Sequence, residues 1–102
     1  MPYKIKKPLL TNEEMIEVLN LDSDYPLLKK LEQLSKEATE ELYILTGHDW
    51  SADTEICESA KSACKDFVYL KWYGEEPNLR KRYDLSILNL QRLIDVNGDF
   101  YA

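Results

Sequence analysis

The sequence predicts an all-α fold: a small helical bundle with two long antiparallel helices, two shorter helices and an extended C-terminal tail. Three observations carry that prediction. Apolar residues recur at steps of three and four along two long stretches, the first of about 20 residues. Three glycines and four prolines among 102 residues are too few for a turn-rich β-sandwich. Period-two alternation is absent until the last residues of the chain.

The first helix is announced by "LLTNEEM". Thr11 is the N-cap, Glu14 three residues later completes a capping box, and Leu10 ahead of the cap can staple onto Met15. The helix is expected to be short, ending at about Asn20, with Met15, Ile16 and Leu19 inward. Asp22, Ser23 and Asp24 are candidate N-caps for the second helix, and Pro26 suits its first turn. Leu27, Leu31, Leu34, Ala38, Leu42 and Leu45 then form one stripe, stopped by Gly47 after Thr46. Ser51 or Asp53 is expected to cap the third helix, whose stripe is Ile56, Ala60, Ala63, Phe67 and Leu70 and whose stop is Gly74. Ala60 and Ala63 allow a neighbouring helix to approach closely. "NLRKRY", residues 78–83, reads as a polar basic loop. Asp84 is the expected cap of a short last helix with Ile87, Leu90 and Ile94 inward and Leu88 at a flank. Domain organisation follows: residues 1–94 form the bundle, with 1–10 as a basic arm, and 95–102 form a C-terminal tail.

An apolar share of 44% and a charged share of 31% describe an ordinary globular chain. No apolar run approaches the roughly 20 residues of a membrane span. Lys4, Lys6 and Lys7 lack a following apolar segment, so the start does not read as a secretory signal. The net charge of −6 is unevenly distributed: residues 1–10 carry +3, residues 11–77 carry −10 and residues 78–102 carry +1. A nucleic-acid reader presents a basic face across its fold. Here only the start and Arg80-Lys81-Arg82 are basic, and a partner of mixed charge fits better.

A search for catalytic or metal-binding chemistry returns little. Cys57 and Cys64 are seven residues apart on one helix, about 10.5 Å along its axis, too far to bridge each other. They read as buried structural cysteines. His48, the single histidine, matches no zinc-ligand spacing with them, and no base-orienting pattern supports a Cys–His nucleophile. Glu13, Glu14, Glu17, Glu37, Glu40, Glu41, Glu55 and Glu58 fall away from the stripes and read as solvated faces. "DVNGD" lacks the ligand spacing of a calcium loop, and no glycine-rich phosphate loop exists. Trp50, Phe67, Trp72 and Tyr43 are expected in the core, whereas Tyr69, Tyr73 and Tyr83 are candidates for partial exposure. The chain therefore reads as a non-enzyme with no cofactor.

The order of elements carries a resemblance over about residues 8–94. A short capped helix "LLTNEEMIEVLNL" leads through the acidic break "DSDYPLL" to a helix ending "ATEELYILTGHDW". The Ala-containing helix "ESAKSACKDFVYLKWYGEE" and a closing helix with "SILNLQRL" follow. This arrangement resembles the head–tail connector proteins (head-completion proteins or adaptors) of long-tailed double-stranded-DNA bacteriophages. The resemblance implies a structural virion protein at the head–tail interface, made in the host bacterial cytoplasm. It implies a ring of about a dozen copies on the portal protein, extending the DNA channel and docking a stopper or tail-completion protein. Double-stranded DNA would pass through without specific binding, and the free chain is expected to be monomeric.

Within that frame two stretches are candidate contact residues. Val96, Asn97, Gly98, Phe100 and Tyr101 are the expected portal-docking residues, on a tail that spans about 26 Å if extended. The alternative is a hairpin around Asn97-Gly98 that pairs Val96 with Asp99 and Ile94 with Tyr101. Arg80, Lys81 and Arg82 are expected to contact an acidic neighbouring subunit or, less favourably, passing DNA. A second function class remains open, a small helical regulatory module associated with DNA. The acidic long helices and the connector of about eight residues between them disfavour a helix-turn-helix.

Overall fold

A computed structural model of the chain describes residues 5 and 7–96, and all regular structure among them is helical. Four helices follow in order: α1 (Asn12–Val18), α2 (Leu28–Thr46), α3 (Glu58–Tyr73) and α4 (Pro77–Val96). Helix α3 packs most extensively on α4 and next on α2, while α1 lies on α2.

The capping box forms as the sequence predicts. Thr11 Oγ1 accepts from the Glu14 amide at 3.1 Å and Glu14 Oε1 from the Thr11 amide at 3.0 Å. Helix α1 ends at Val18, two residues short of the expected Asn20. Asn20 adopts φ 54°, and its amide bonds the Glu17 carbonyl while the Leu21 amide bonds that of Ile16. That is a Schellman stop with Asn in the left-handed position normally taken by glycine.

Helix α2 lacks the expected side-chain cap: its N-cap is Leu27, and Asp22 instead closes a turn through its carbonyl to the Tyr25 amide. The ends of its stripe are open to solvent, with Leu27 51% and Leu45 40% exposed, so the buried part is Leu31, Ala38 and Leu42. Gly47 provides the predicted left-handed stop at φ 79°. Neither Ser51 nor Asp53 caps α3, whose N-cap is Cys57. Ser51 is buried and bonded to Asp49, and Asp53 pairs with His48.

The largest correction concerns α4. Residues 78–83 are helical, not a loop, so the fold has three long helices and one short one. Pro77 opens the helix, where a missing amide costs nothing. The Glu76 carbonyl accepts the Arg80 amide, and its carboxylate accepts that of Asn78 at 3.3 Å. Asp84 is therefore an interior residue, four after its partner Arg80. At the other end α4 continues through Val96. Asp95 and Val96 finish a helix, which excludes the hairpin strand through Ile94 and Val96. Asn97, Gly98, Phe100 and Tyr101 lie outside the described residues.

The core gathers Ala60, Ala63, Cys64, Phe67, Val68 and Leu70 of α3 with Tyr83, Ile87 and Leu90 of α4. Tyr83 is buried, against the expectation of exposure, because α4 starts early enough to carry it onto Phe67 at 5.6 Å. Residues 9 and 10 contribute as well: Leu9 and Leu10 are buried against α2. Their amides reach side chains on that helix, Leu9 N to Thr39 Oγ1 at 2.9 Å and Leu10 N to Ser35 Oγ at 3.2 Å. Ser35 Oγ also donates to the Leu10 carbonyl at 2.7 Å, and Thr39 Oγ1 to the Ser35 carbonyl at 2.9 Å. Every hydroxyl in this buried strap thus has a use.

Two outcomes test this packing. Ser35→Ala and Thr39→Val, measured by urea denaturation, are each expected to lower stability by about 1–3 kcal/mol, since each leaves a buried amide unpaired. A second test concerns Glu14, which faces Lys61 at 2.9 Å. Partial burial works to raise its carboxyl, but the Thr11 amide and Lys61 outweigh it and hold the group below its ordinary 4.5. A depressed folded value stabilises above the unfolded value and is lost as pH falls through the folded one. Glu14→Gln is expected to be less stable than the parent by under ~1 kcal/mol at neutral pH, the gap closing as pH drops below 4.5.

Candidate docking surfaces

The basic run lies on the first turns of α4, and the helix separates its members. Arg80 reaches Glu75 at 2.6 Å and Asp84 at 3.3 Å, with its guanidinium 5.8 Å from the Tyr83 ring centroid. The hydrogen bond from Arg80, chiefly, holds the Glu75 carboxyl below its ordinary range. Arg82 turns to α3, pairing with Asp66 at 3.2 Å and stacking 5.6 Å from the Tyr69 ring. Asp66 also accepts from Ser86 Oγ at 2.5 Å. Only Lys81 of the three has no ion-pair partner among the described residues. The run is therefore not one basic patch: Arg80 and Arg82 tie α4 to its own surroundings.

The expected tail contributes one described residue, Val96, which is 81% exposed at the end of α4. It has company that the stripe reading passes over. Leu85 is 51% exposed and Leu88 40% on α4, and Ile44 is 52% exposed on α2. Gln91 Nε2 donates to the Leu45 carbonyl at 3.1 Å. That bond sets the last turn of α2, with Ile44 and Leu45, beside the α4 turn that follows Leu88. The signal was available in the spacing: Leu85 and Leu88 fall on the face of α4 opposite Ile87 and Leu90.

The groups suited to chemistry are occupied in structure. His48 Nε2 meets both Asp53 oxygens at 2.9 and 3.0 Å, and its ring stands edge-on to buried Trp50 at 4.8 Å. Trp50 Nε1 donates to Thr46 Oγ1 at 2.9 Å, so this pair closes the α2–α3 connector. Burial pushes the Cys64 thiol up to about 12, against the weaker opposing effect of Thr39. Cys57 is half-exposed. Burial first, and then the negative charge of nearby Glu41, raise the Tyr83 phenol, whose hydroxyl has no hydrogen-bond partner among the described residues. Among the described residues no group of three or more His, Cys, Asp or Glu could hold a metal ion, and no helix is long and apolar enough to cross a membrane. An open groove of about 370 Å³ between α2 and α3 is lined by Lys30, Gln33, Leu34, Glu37, Lys71 and Trp72. Its walls are of mixed charge, and Lys30 Nζ stands 5.3 Å above the Trp72 ring.

Comparison with protein-family models, curated proteins and solved structures gives no match. The surfaces themselves then carry the functional argument. They offer exposed aliphatic side chains beside charged ones.

The reactivity of the two cysteines checks the description. A thiolate is the reactive species, so a thiol reagent is expected to modify Cys57 in the native protein and spare Cys64. Both should react after denaturation. Rapid native labelling of Cys64, read by mass spectrometry of the peptides, would contradict its placement.

Proposed function

We propose that the chain is a structural assembly protein: an adaptor of the tailed-phage head–tail connector kind, acting without catalysis or cofactor. It would assemble as a ring on the portal at the head–tail interface of the virion and offer the next surface to a stopper protein. One observation carries the reading. Large aliphatic side chains remain 40–81% exposed along α2 and α4 although the core beneath them is closed. Exposed aliphatic side chains that gather into one patch are the kind of surface another protein covers.

The order of the helices, a short capped one followed by long ones, agrees with the same reading. Its geometry has α2 and α3 as long antiparallel neighbours. Two approaches support that, with Lys30 near the start of α2 beside Trp72 at the end of α3 and Thr39 further along α2 beside Cys64. The acidic body suits a channel component, since fixed negative charge opposes tight binding of phosphate. Portal docking is assigned to Val96, Asn97, Gly98, Phe100 and Tyr101, with the exposure of Val96 in support.

The direct test mixes the purified chain with a portal ring and follows co-sedimentation. Binding is expected, and deletion of residues 97–102 should abolish it while leaving the helical circular-dichroism signal intact. Absence of binding by the full chain would end the adaptor reading. Nanomolar affinity for duplex DNA at physiological salt would favour a DNA-associated regulator instead.

A further inference from the structure

The cations of α4 divide into two sets. Arg80 and Arg82 are bound to acidic partners within the chain, whereas Lys81 and Arg92, both exposed, have no ion-pair partner among the described residues. Between the latter two lie Leu85 and Leu88, 51% and 40% exposed. Lys81, Leu85, Leu88 and Arg92 follow one another at steps of four, three and four. At 3.6 residues per turn the four fall within a sector of about 60°, opposite buried Tyr83, Ile87 and Leu90. Neither carboxylate of α4 lies in that sector. Asp84 and Asp95 fall at its edge, on the side of Gln91, which bonds α2, and Asp84 is held by Arg80. In a chain of net charge −6, this stripe is cationic at both ends and aliphatic between.

Lys81 and Arg92 are eleven residues apart, or about 16 Å along the axis at 1.5 Å per residue. A single small anion cannot span that distance. Exposed leucines between the cations also give a nucleic-acid backbone nothing to bond. A second helix laid along α4 satisfies both features. Its carboxylates, eleven residues apart, reach the two cations, and aliphatic residues between them cover Leu85 and Leu88. Helix α2, of comparable length, does not offer that pattern in a second copy of this chain, since part of its solvent side interleaves Lys29 and Lys36 with Glu32 and Gln33.

We propose that the Lys81–Leu85–Leu88–Arg92 face of α4 binds an acidic amphipathic helix of a different protein. Two carboxylates of that helix, about three turns apart, pair with Lys81 and Arg92, and its aliphatic residues lie on Leu85 and Leu88. The aliphatic centre supplies contact area, while the end charges fix the register and reject basic helices. This contact is additional to portal docking, which is assigned to Val96 and the residues after it.

The probe is a designed helical peptide of about 18 residues, with Glu, Leu, Leu and Glu at steps of four, three and four on an alanine–glutamine background. A second peptide has Lys in place of both Glu. Each is titrated to ~1 mM into the isotope-labelled full chain at low salt, and amide chemical shifts are followed by NMR. The acidic peptide should shift amides within residues 81–92, and the effect should weaken as salt rises. K81E/R92E should bind it at least about tenfold more weakly and take the lysine peptide instead, with unchanged helical content. Leu85→Gln with Leu88→Gln, which leaves the charges in place, should also weaken the acidic peptide. No shift at ~1 mM, shifts centred on another helix, equal response to the two peptides, or a variant without effect would each overturn the site. So would concentration-dependent broadening of the same amides in the parent chain alone, because a second copy would then cover the face. Peptide binding without portal binding would keep this face and end the adaptor reading; portal binding without peptide binding would do the reverse.

Discussion

Two hydroxyls on one helix hold the arrangement together. Ser35 and Thr39, one turn apart on the buried side of α2, accept the amides of Leu10 and Leu9. Without them the strap would carry two unpaired backbone amides into the core, a cost comparable with the net stability of a small domain. With them, Leu9 and Leu10 close one side of α2. Thr11, the next residue, is then fixed as the cap of α1. Helix α1 in turn meets α3 twice, through Glu14 to Lys61 and through the Val18 carbonyl to Tyr69 Oη at 3.1 Å. The Lys7 amide bonds Ser51 Oγ at 3.2 Å, which joins the strap to the connector that buries Trp50.

This constraint separates the two sides of α2. One side is occupied by the strap and the core, so none of its side chains is free to meet another molecule. The outer side and the far face of α4 keep their charges and aliphatic groups in solvent. The buried hydroxyls of Ser35 and Thr39 are thus taken up in packing, and the exposed side chains of α2 and α4 lie on the outer faces.

The helices were legible in the sequence where the local signal was strong. The capping box at Thr11 and the glycine stop at Gly47 are short-range devices whose partners lie within a few residues, and both form as read. The start of α4 was not legible because Pro77 and the polar "NLRKRY" satisfy a loop pattern as well as a first helical turn. The deciding fact is that Tyr83 finds Phe67, a contact 16 residues away. Caps at Asp22 and Ser51 failed for a related reason: each candidate is engaged otherwise, in a turn or in a buried loop bond. Ser35 and Thr39 left a trace, two hydroxyl residues four apart inside an apolar stripe, but their partners are 25 and 30 residues distant. Of the candidate contact residues, the sequence located the basic run but not that Arg80 and Arg82 are internally paired.

Amide hydrogen exchange at Leu9 and Leu10 tests the central claim most directly. If the strap is part of the cooperative core, these two amides exchange only through global unfolding, as slowly as those of Val68 and Leu70 in α3. Exchange near the rate of an unstructured chain would mean that residues 7–10 open independently of the bundle, and that Ser35 and Thr39 do not organise it.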